Sequence, residues 1–153
     1  MSILELKIPP LMLVILFALA MYAISLLAPA VTLHISVRDI VAVTVALFGA
    51  LIVLSGVVAF RSHHTTVNPL VPGDSSTIVQ DGIYRLSRNP MYLGFLLILI
   101  AWGVWLSNMI AVLLLPCFVI YMNTYQIKPE ERALQAKFGK EFEQYMATVR
   151  RWL

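Results

Sequence analysis

Four long apolar stretches constrain this chain of 153 residues more than any other feature. They run roughly over residues 8–27, 40–60, 91–106 and 109–125. A helix needs about 20 predominantly apolar residues to cross a bilayer, and its backbone polar groups must be bonded within the segment. The pattern predicts an all-α integral membrane protein with about four transmembrane helices.

The composition agrees with a membrane setting and with a single domain over residues 1–153. Hydrophobic residues make up 60% of the chain and charged residues 12%, with a mean hydropathy of +0.86. Typical soluble domains carry about 25% charged residues. The spans leave no room for a separate soluble catalytic domain. The net charge of +3 is typical of Lys and Arg beside membrane spans, so we expect membrane lipids and not nucleic acid as partners.

The positive charges are distributed very unevenly between the two ends of the spans. Ten of the eleven Lys and Arg residues fall at one face of a four-span arrangement, and Arg38 alone falls at the other. Because cytoplasmic loops are enriched in Lys and Arg, both termini and the loop over residues 61–89 are predicted to lie in the cytoplasm. Only Ser107 and Asn108 separate spans three and four, which predicts a tight antiparallel helical hairpin.

The C-terminal region, residues 128–153, has the pattern of an amphipathic helix. Apolar side chains recur there at steps of 4, 4, 3 and 4, at Leu134, Phe138, Phe142, Tyr145 and Val149. Such spacing places them on one face, which predicts a helix lying at the cytoplasmic membrane surface. Gly139 is a point at which this helix can divide in two.

The start of span three combines charge with a helix-start signal. In Arg88-Asn89-Pro90, the Asn89 side-chain oxygen can cap a helix, and Pro90 suits a first turn where its missing N–H costs nothing. The free N–H groups of a helix start attract anionic groups. We therefore expect a small anionic cofactor group to dock there.

Other polar residues have simpler explanations when each is taken alone. Glu130 and Glu131 in a first helical turn complement the helix dipole by roughly 0.3–1 kcal/mol each. Gly94 can permit close helix packing, and Tyr92 can be an interfacial aromatic. Adjacent histidines, His63-His64, point in different directions and have no third ligand at a suitable spacing, so no metal is expected. His34, alone in the short outer loop, is assigned no role.

Taken in order, these segments resemble the isoprenylcysteine carboxyl methyltransferases and their phospholipid methyltransferase relatives. The resemblance covers the chain from about Ser76 onward and rests on Gly82-Ile83-Tyr84, Arg88-Asn89-Pro90-Met91-Tyr92-Leu93-Gly94, Glu130-Glu131-Arg132-Ala133-Leu134, Phe138-Gly139, Phe142, Tyr145 and Val149-Arg150. It implies S-adenosylmethionine held at the cytoplasmic face between span three and the tail helix. It also implies a lipophilic acceptor that arrives from the bilayer, and no metal.

The resemblance also implies roles for individual residues. The cofactor-binding candidates are Tyr84, Arg88, Asn89, Pro90, Tyr92, Gly94, Glu130, Glu131 and Tyr145, and the catalytic candidates are Glu130, Gln126 and Arg150. Carboxylates and tyrosine rings suit a cationic sulfonium through charge and ring quadrupole. Methyl transfer from a sulfonium is an in-line displacement, for which alignment and exclusion of water can lower much of the barrier.

Two positions depart from the family pattern. Asn89 stands where eukaryotic members carry His, and Gln126 stands where carboxyl-methylating members carry Arg. Neutral Gln126 cannot form a charged pair with an acceptor carboxylate, which favours an amine, thiol or uncharged acceptor. Arg150, Arg151 or Lys128 can supply the missing charge instead. The alternatives are an NADPH-dependent membrane reductase related to sterol reductases and a non-enzymatic membrane subunit.

Overall fold

A computed structural model describes residues 5–27, 29, 31, 35–63, 70 and 72–153, and these contain helices joined by turns and irregular segments. The α-helices are α1 (Pro10–Leu27), α2 (Ile35–Ser62), α3 (Pro90–Leu106), α4 (Met109–Val112), α5 (Leu114–Tyr121), α6 (Lys128–Phe138) and α7 (Lys140–Thr148). A π-helical segment, Met122–Ile127, joins α5 to α6, and 3-10 turns at Pro72–Asp74 and Gly82–Arg85 precede α3. His34 and His64, which were considered in the sequence analysis, lie outside the described residues.

The apolar helices confirm an all-helical membrane protein with about four spans. Three helical stretches are long and apolar enough to cross a membrane, namely Pro10–Leu27, Ser36–Ser62 and Met109–Phe138, and the apolar α3 has 17 residues. α2 begins five residues before its predicted start, and the fourth stretch runs on well past residue 125.

Pro129 lies within this fourth stretch without ending it. A proline has no N–H for the carbonyl four residues earlier, and its ring crowds that carbonyl. The carbonyl concerned is that of Tyr125, and it accepts the backbone N–H of Leu6 at 3.0 Å. The π-helical segment directly before α6 has wider turns than an α-helix, which leaves more room between the Pro129 ring and this carbonyl. The N-terminal segment therefore satisfies a backbone group that Pro129 leaves without its helical donor.

The buried core lies where α1 packs against α3, α4 and α5. Met21, Leu99, Phe118 and Met122 are fully buried there. In contrast, α2 packs mainly on α3, and both α1 and α2 leave large apolar side chains exposed on their other faces. In a bilayer those faces contact lipid.

Two glycines bring α2 and α3 into very close contact. A Cβ atom added to Gly94 would lie 2.6 Å from the carbonyl oxygen of Gly49 and 2.6 Å from Cγ2 of Val53. A Cβ on Gly49 would lie 2.8 Å from the carbonyl oxygen of Gly94. Small residues at such a crossing let helix backbones approach closely in membranes. This contact fixes the start of α3 beside the last turns of α2.

Residues with positive φ mark two further places where a helix ends. Ser107 has φ of +51°, and the Asn108 side chain accepts the N–H of Ala111, so α3 stops and α4 starts within two residues. Gly139 has φ of +54° and ends α6. α7 then ends at Thr148, and Val149 is extended. The region over residues 128–153, predicted as an amphipathic helix that can divide at Gly139, is therefore two helices that meet at Gly139, and residues 149–153 lie outside them.

Gly94→Ala tests the close crossing of α2 and α3. The added methyl has no space, so it forces the helices apart and lowers the free energy of unfolding by about 1–3 kcal/mol. Thermal unfolding of the detergent-purified protein measures this. Gly73→Ala is the matched control, because nothing lies within 4 Å of a Cβ at Gly73 and its φ is not positive. A Gly94→Ala variant as stable as this control contradicts the crossing described here.

Candidate functional site

A cleft lies at the end of the bundle where α2 ends and α3 begins. Its volume is about 810 Å³, including the open mouth. Its walls come from the end of α2, the segment before α3, the start of α3, the π-helical segment, α6 and α7. The lining includes Phe60, Thr77, Val79, Tyr84, Arg88, Asn89, Tyr92, Glu130, Glu131, Leu134, Phe142 and Tyr145.

Glu130 brings a carboxylate to the cleft beside Tyr92. The Tyr92 hydroxyl donates to Oε1 of Glu130 at 2.5 Å, and Nε2 of Gln126 donates to the same oxygen at 2.6 Å. Tyr92 and Gln126 are both buried. Among the described residues no donor reaches Oε2 of Glu130. The carboxylate is thus held firmly by one oxygen while the other can accept a further hydrogen bond.

The π-helical segment accounts for the direction of these side chains. Its turns are wider than α-helical turns, which rotates the residues that follow relative to a regular helix. Gln126 lies inside the segment and Glu130 begins the turn after it. Both reach Tyr92 on α3. Such bulges are frequent at functional sites.

Glu131, although adjacent in sequence, has quite different partners. Its Oε1 accepts from Nη2 of Arg88 at 2.8 Å and from Nε of Arg151 at 3.0 Å. Its Oε2 accepts from Nη2 of Arg151 at 2.6 Å. One carboxylate therefore bridges two guanidinium groups, while Nε of Arg88 is buried without a hydrogen-bond partner among the described residues.

The start of α3 differs from the sequence prediction. Asn89 does precede the helix, but its side chain makes no capping hydrogen bond to the helix. Its Nδ2 donates instead to the carbonyl of Arg151 at 2.9 Å, while the Asn89 backbone N–H donates to Oγ of Ser87 at 3.1 Å. The prediction that the Asn89 oxygen caps α3 is therefore wrong. The C-terminal segment competes for this side chain, a contact far apart in sequence.

Two tyrosines form the wall opposite α6. The Tyr145 hydroxyl donates to the carbonyl of Tyr84 at 2.7 Å and so ties α7 to the segment before α3. The Tyr84 hydroxyl is buried and has no hydrogen-bond partner among the described residues. Burial raises the pKa of both phenols. They are therefore neutral at physiological pH.

Most of the predicted site residues meet in this cleft, although a few lie elsewhere. Gly94 lies at the α2 crossing, Pro90 is buried, and Arg150 has an exposed side chain. Gln126 is also buried and is not part of the lining, and it contacts the cleft through its bonds to Tyr92 and Glu130. The sequence interpretation missed Arg151 as a partner of Glu131 and missed the wall formed by residues 75–79. Residues 75–79 carry no motif that could have revealed them. Within the described residues no group of three His, Cys, Asp or Glu side chains could hold a metal.

Comparisons with known proteins agree with a membrane enzyme class. The sequence model of the phospholipid methyltransferase family matches residues 37–141, more than half of the chain. These residues extend from α2 into α7 and include the start of α3 and the Glu130-Glu131 pair. The chain therefore belongs to the phospholipid methyltransferase family.

Individual relatives cover less of the chain. An uncharacterized protein of Haemophilus influenzae is 49% identical over 63 residues, which is 41% of this chain and all of that protein. A probable protein-S-isoprenylcysteine O-methyltransferase of Oryza sativa subsp. indica is 32% identical over 76 residues, and the corresponding Schizosaccharomyces pombe enzyme is 33% identical over 72. Those matches cover 50% and 47% of this chain but only 40% and 30% of the two enzymes. No solved structure gives a significant match.

Proposed function

We propose that this protein transfers a methyl group from S-adenosylmethionine to a lipophilic or amphipathic small acceptor at the cytoplasmic membrane face. The observation that carries the proposal is the Glu130 carboxylate, fixed by Tyr92 and Gln126 in a cleft at the membrane end of a methyltransferase-family fold. Neither the reductase nor the non-enzymatic alternative gains support from the relatives, which are methyltransferases where they have a named activity.

The chemistry of the cleft fits this cofactor. Glu130 supplies a carboxylate with one oxygen still open to a donor, and the Tyr84 side chain forms part of the lining. Phe142 and Leu134 add apolar surface to the lining. When bound, S-adenosylmethionine supplies an electrophilic methyl group on a positively charged sulfur. Glu130 and the tyrosine rings attract that charge, and the apolar walls exclude water.

The border of the cleft supports a lipophilic acceptor. Phe60 ends the apolar α2, Met91 begins the apolar α3, and both line the cleft. A molecule that dissolves in the bilayer therefore reaches the cleft from the side without crossing a charged surface. Alignment of the acceptor with the methyl group within the cleft lowers the reaction barrier, because the two reactants are already close and correctly oriented.

The charge pattern supports an acceptor that is not a carboxylate. Gln126 is neutral and is bonded to Glu130, and both Arg88 and Arg151 are bonded to Glu131. An acceptor carboxylate in the cleft thus meets Glu130 without a free guanidinium to offset the repulsion. An amine, a thiol or an uncharged group meets no such penalty.

Labelling with an acceptor panel tests that preference. We expect purified protein in lipid nanodiscs to move methyl label from S-adenosylmethionine into a long-chain amine or thiol and not into prenylcysteine. The products are distinguished by treatment with base, which releases label only from a methyl ester. Label confined to a base-labile ester of prenylcysteine contradicts the preference for a neutral or cationic acceptor.

Glu130→Gln tests the role assigned to the carboxylate. The change keeps the size of the side chain but removes its charge, and a hydrogen bond to a charged group is worth about 1.5–3 kcal/mol, or roughly ten- to a hundredfold in affinity. Calorimetry should show a rise of that size in the Kd for S-adenosylmethionine. Glu143→Gln, on the exposed face of α7, is the control. Equal affinity in Glu130→Gln and the parent rejects the role.

The proposed orientation can be tested with reporter fusions. Ten of the eleven Lys and Arg residues fall on the cleft side of the spans, which supports a cytoplasmic location for the cleft and both termini. We expect a reporter after Leu153, and a second one inserted at the exposed Gly73, to be active only in the cytoplasm. A signal from the opposite compartment at either position overturns this orientation.

A further inference from the structure

Residues 149–152, which follow α7, lie across the start of α3. After α7, residues 149–152 make a series of bonds to residues more than 25 positions away. The Arg88 N–H donates to the carbonyl of Arg150 at 3.0 Å, and Asn89 Nδ2 donates to that of Arg151 at 2.9 Å. Trp152 Nε1 donates to Oδ1 of Asn123 at 3.0 Å. The segment thus joins α3 to the π-helical segment along one wall of the cleft.

The side chains of Arg88, Glu131 and Arg151 fasten this segment, and we call them the clasp. Glu131 bridges both guanidinium groups, as described above. Arg88 also uses Nη1 to donate to the carbonyls of Met146 and Val149, each at 2.9 Å. The Arg88 and Glu131 side chains are only 11% and 14% exposed. Charge-assisted bonds with so little solvent around them are much stronger than surface ion pairs.

We infer that Arg151 and Glu131 are positioning residues that hold the C-terminal segment and α7 in place, and so set the affinity of the cofactor cleft without contacting the cofactor. This inference rests on the proposed function. α7 carries Phe142 and Tyr145 into the lining, and the clasp is bonded to the residues on both sides of its C-terminal end. The two adjacent glutamates consequently have different roles: Glu130 faces the ligand, and Glu131 holds the C-terminal segment and α7 in place.

The neighbouring arginine provides an internal contrast. Arg151 bonds to Glu131, while the side chain of Arg150 is exposed and is not among the residues that line the cleft. The two residues have the same charge and lie next to each other in the chain. Any difference between their variants reports the clasp and not the net charge of the tail.

The test compares Arg151→Gln, Glu131→Gln, the double variant and Arg150→Gln. Calorimetry with S-adenosylhomocysteine reports both the Kd and the fraction of molecules that bind. We expect the Kd to rise about tenfold or more in each clasp variant, with the full binding fraction kept, and to remain at the parental value in Arg150→Gln. The double variant should lose less than the product of the two single losses, because both remove the same contact.

Hydrogen exchange supplies a readout that does not depend on the cofactor. We expect faster amide exchange at Arg88 and Val149, whose N–H groups donate to the carbonyls of Arg150 and Tyr145, for Arg151→Gln and Glu131→Gln, with unchanged exchange in α3. Arg151→Lys, which keeps the charge, should restore part of the protection and of the affinity. If Arg151→Gln fails to fold, Arg151→Lys carries the comparison.

The outcomes separate the inference from the proposed function. Absence of cofactor binding by the parent rejects the proposed function, whereas the exchange data still test the clasp. A parental Kd in Arg151→Gln, a reduced binding fraction with a parental Kd, or equal effects of Arg150→Gln and Arg151→Gln overturns the positioning role.

Discussion

A bilayer requires every backbone polar group within it to be bonded inside the protein, and the rest of this structure follows from that requirement. Regular helices satisfy it, so the spans carry almost no chemistry. Among the described residues, irregular backbone lies in the segment before α3, at the breaks on either side of α4, in the π-helical segment and in the tail. Pro129 illustrates the constraint, since the carbonyl it leaves without a helical donor is bonded by Leu6. The functional groups are gathered where the backbone can depart from a helix.

The polar side chains of the cleft are organised around two carboxylates, those of Glu130 and Glu131, which have separate bonding partners. Glu130 is bonded by neutral donors, Tyr92 and Gln126, and has no cationic partner among the described residues. Glu131 is bonded by Arg88 and Arg151 and is compensated twice. The same residue type thus has neutral partners at one position and two arginines at the next. An unpaired charge beside lipid costs free energy unless a ligand pairs with it. Pairing Glu131 with two arginines avoids that cost.

Much of the fold could be predicted because hydropathy reports the spans directly. The Glu130-Glu131 pair and Arg88 were identifiable as candidates from charge beside apolar runs and from the family resemblance. The roles within the pair could not be predicted, because they depend on how far the π-helical segment rotates α6. The bond of Asn89 to the carbonyl of Arg151 was equally inaccessible, since it joins residues 62 positions apart. Local capping rules consider only the residues beside a helix start.

The sequence by itself determined that this chain is a helical membrane protein, where its spans lie and at which end its charges collect. Those properties follow from composition along a single segment, and the bilayer acts on each segment separately. Only the tertiary structure decided that Gly49 lies against Gly94, that Glu130 faces the cleft and that Arg151, not Arg150, joins Glu131. Each of these depends on the distance and rotation between elements remote in sequence, which packing sets and no local pattern records.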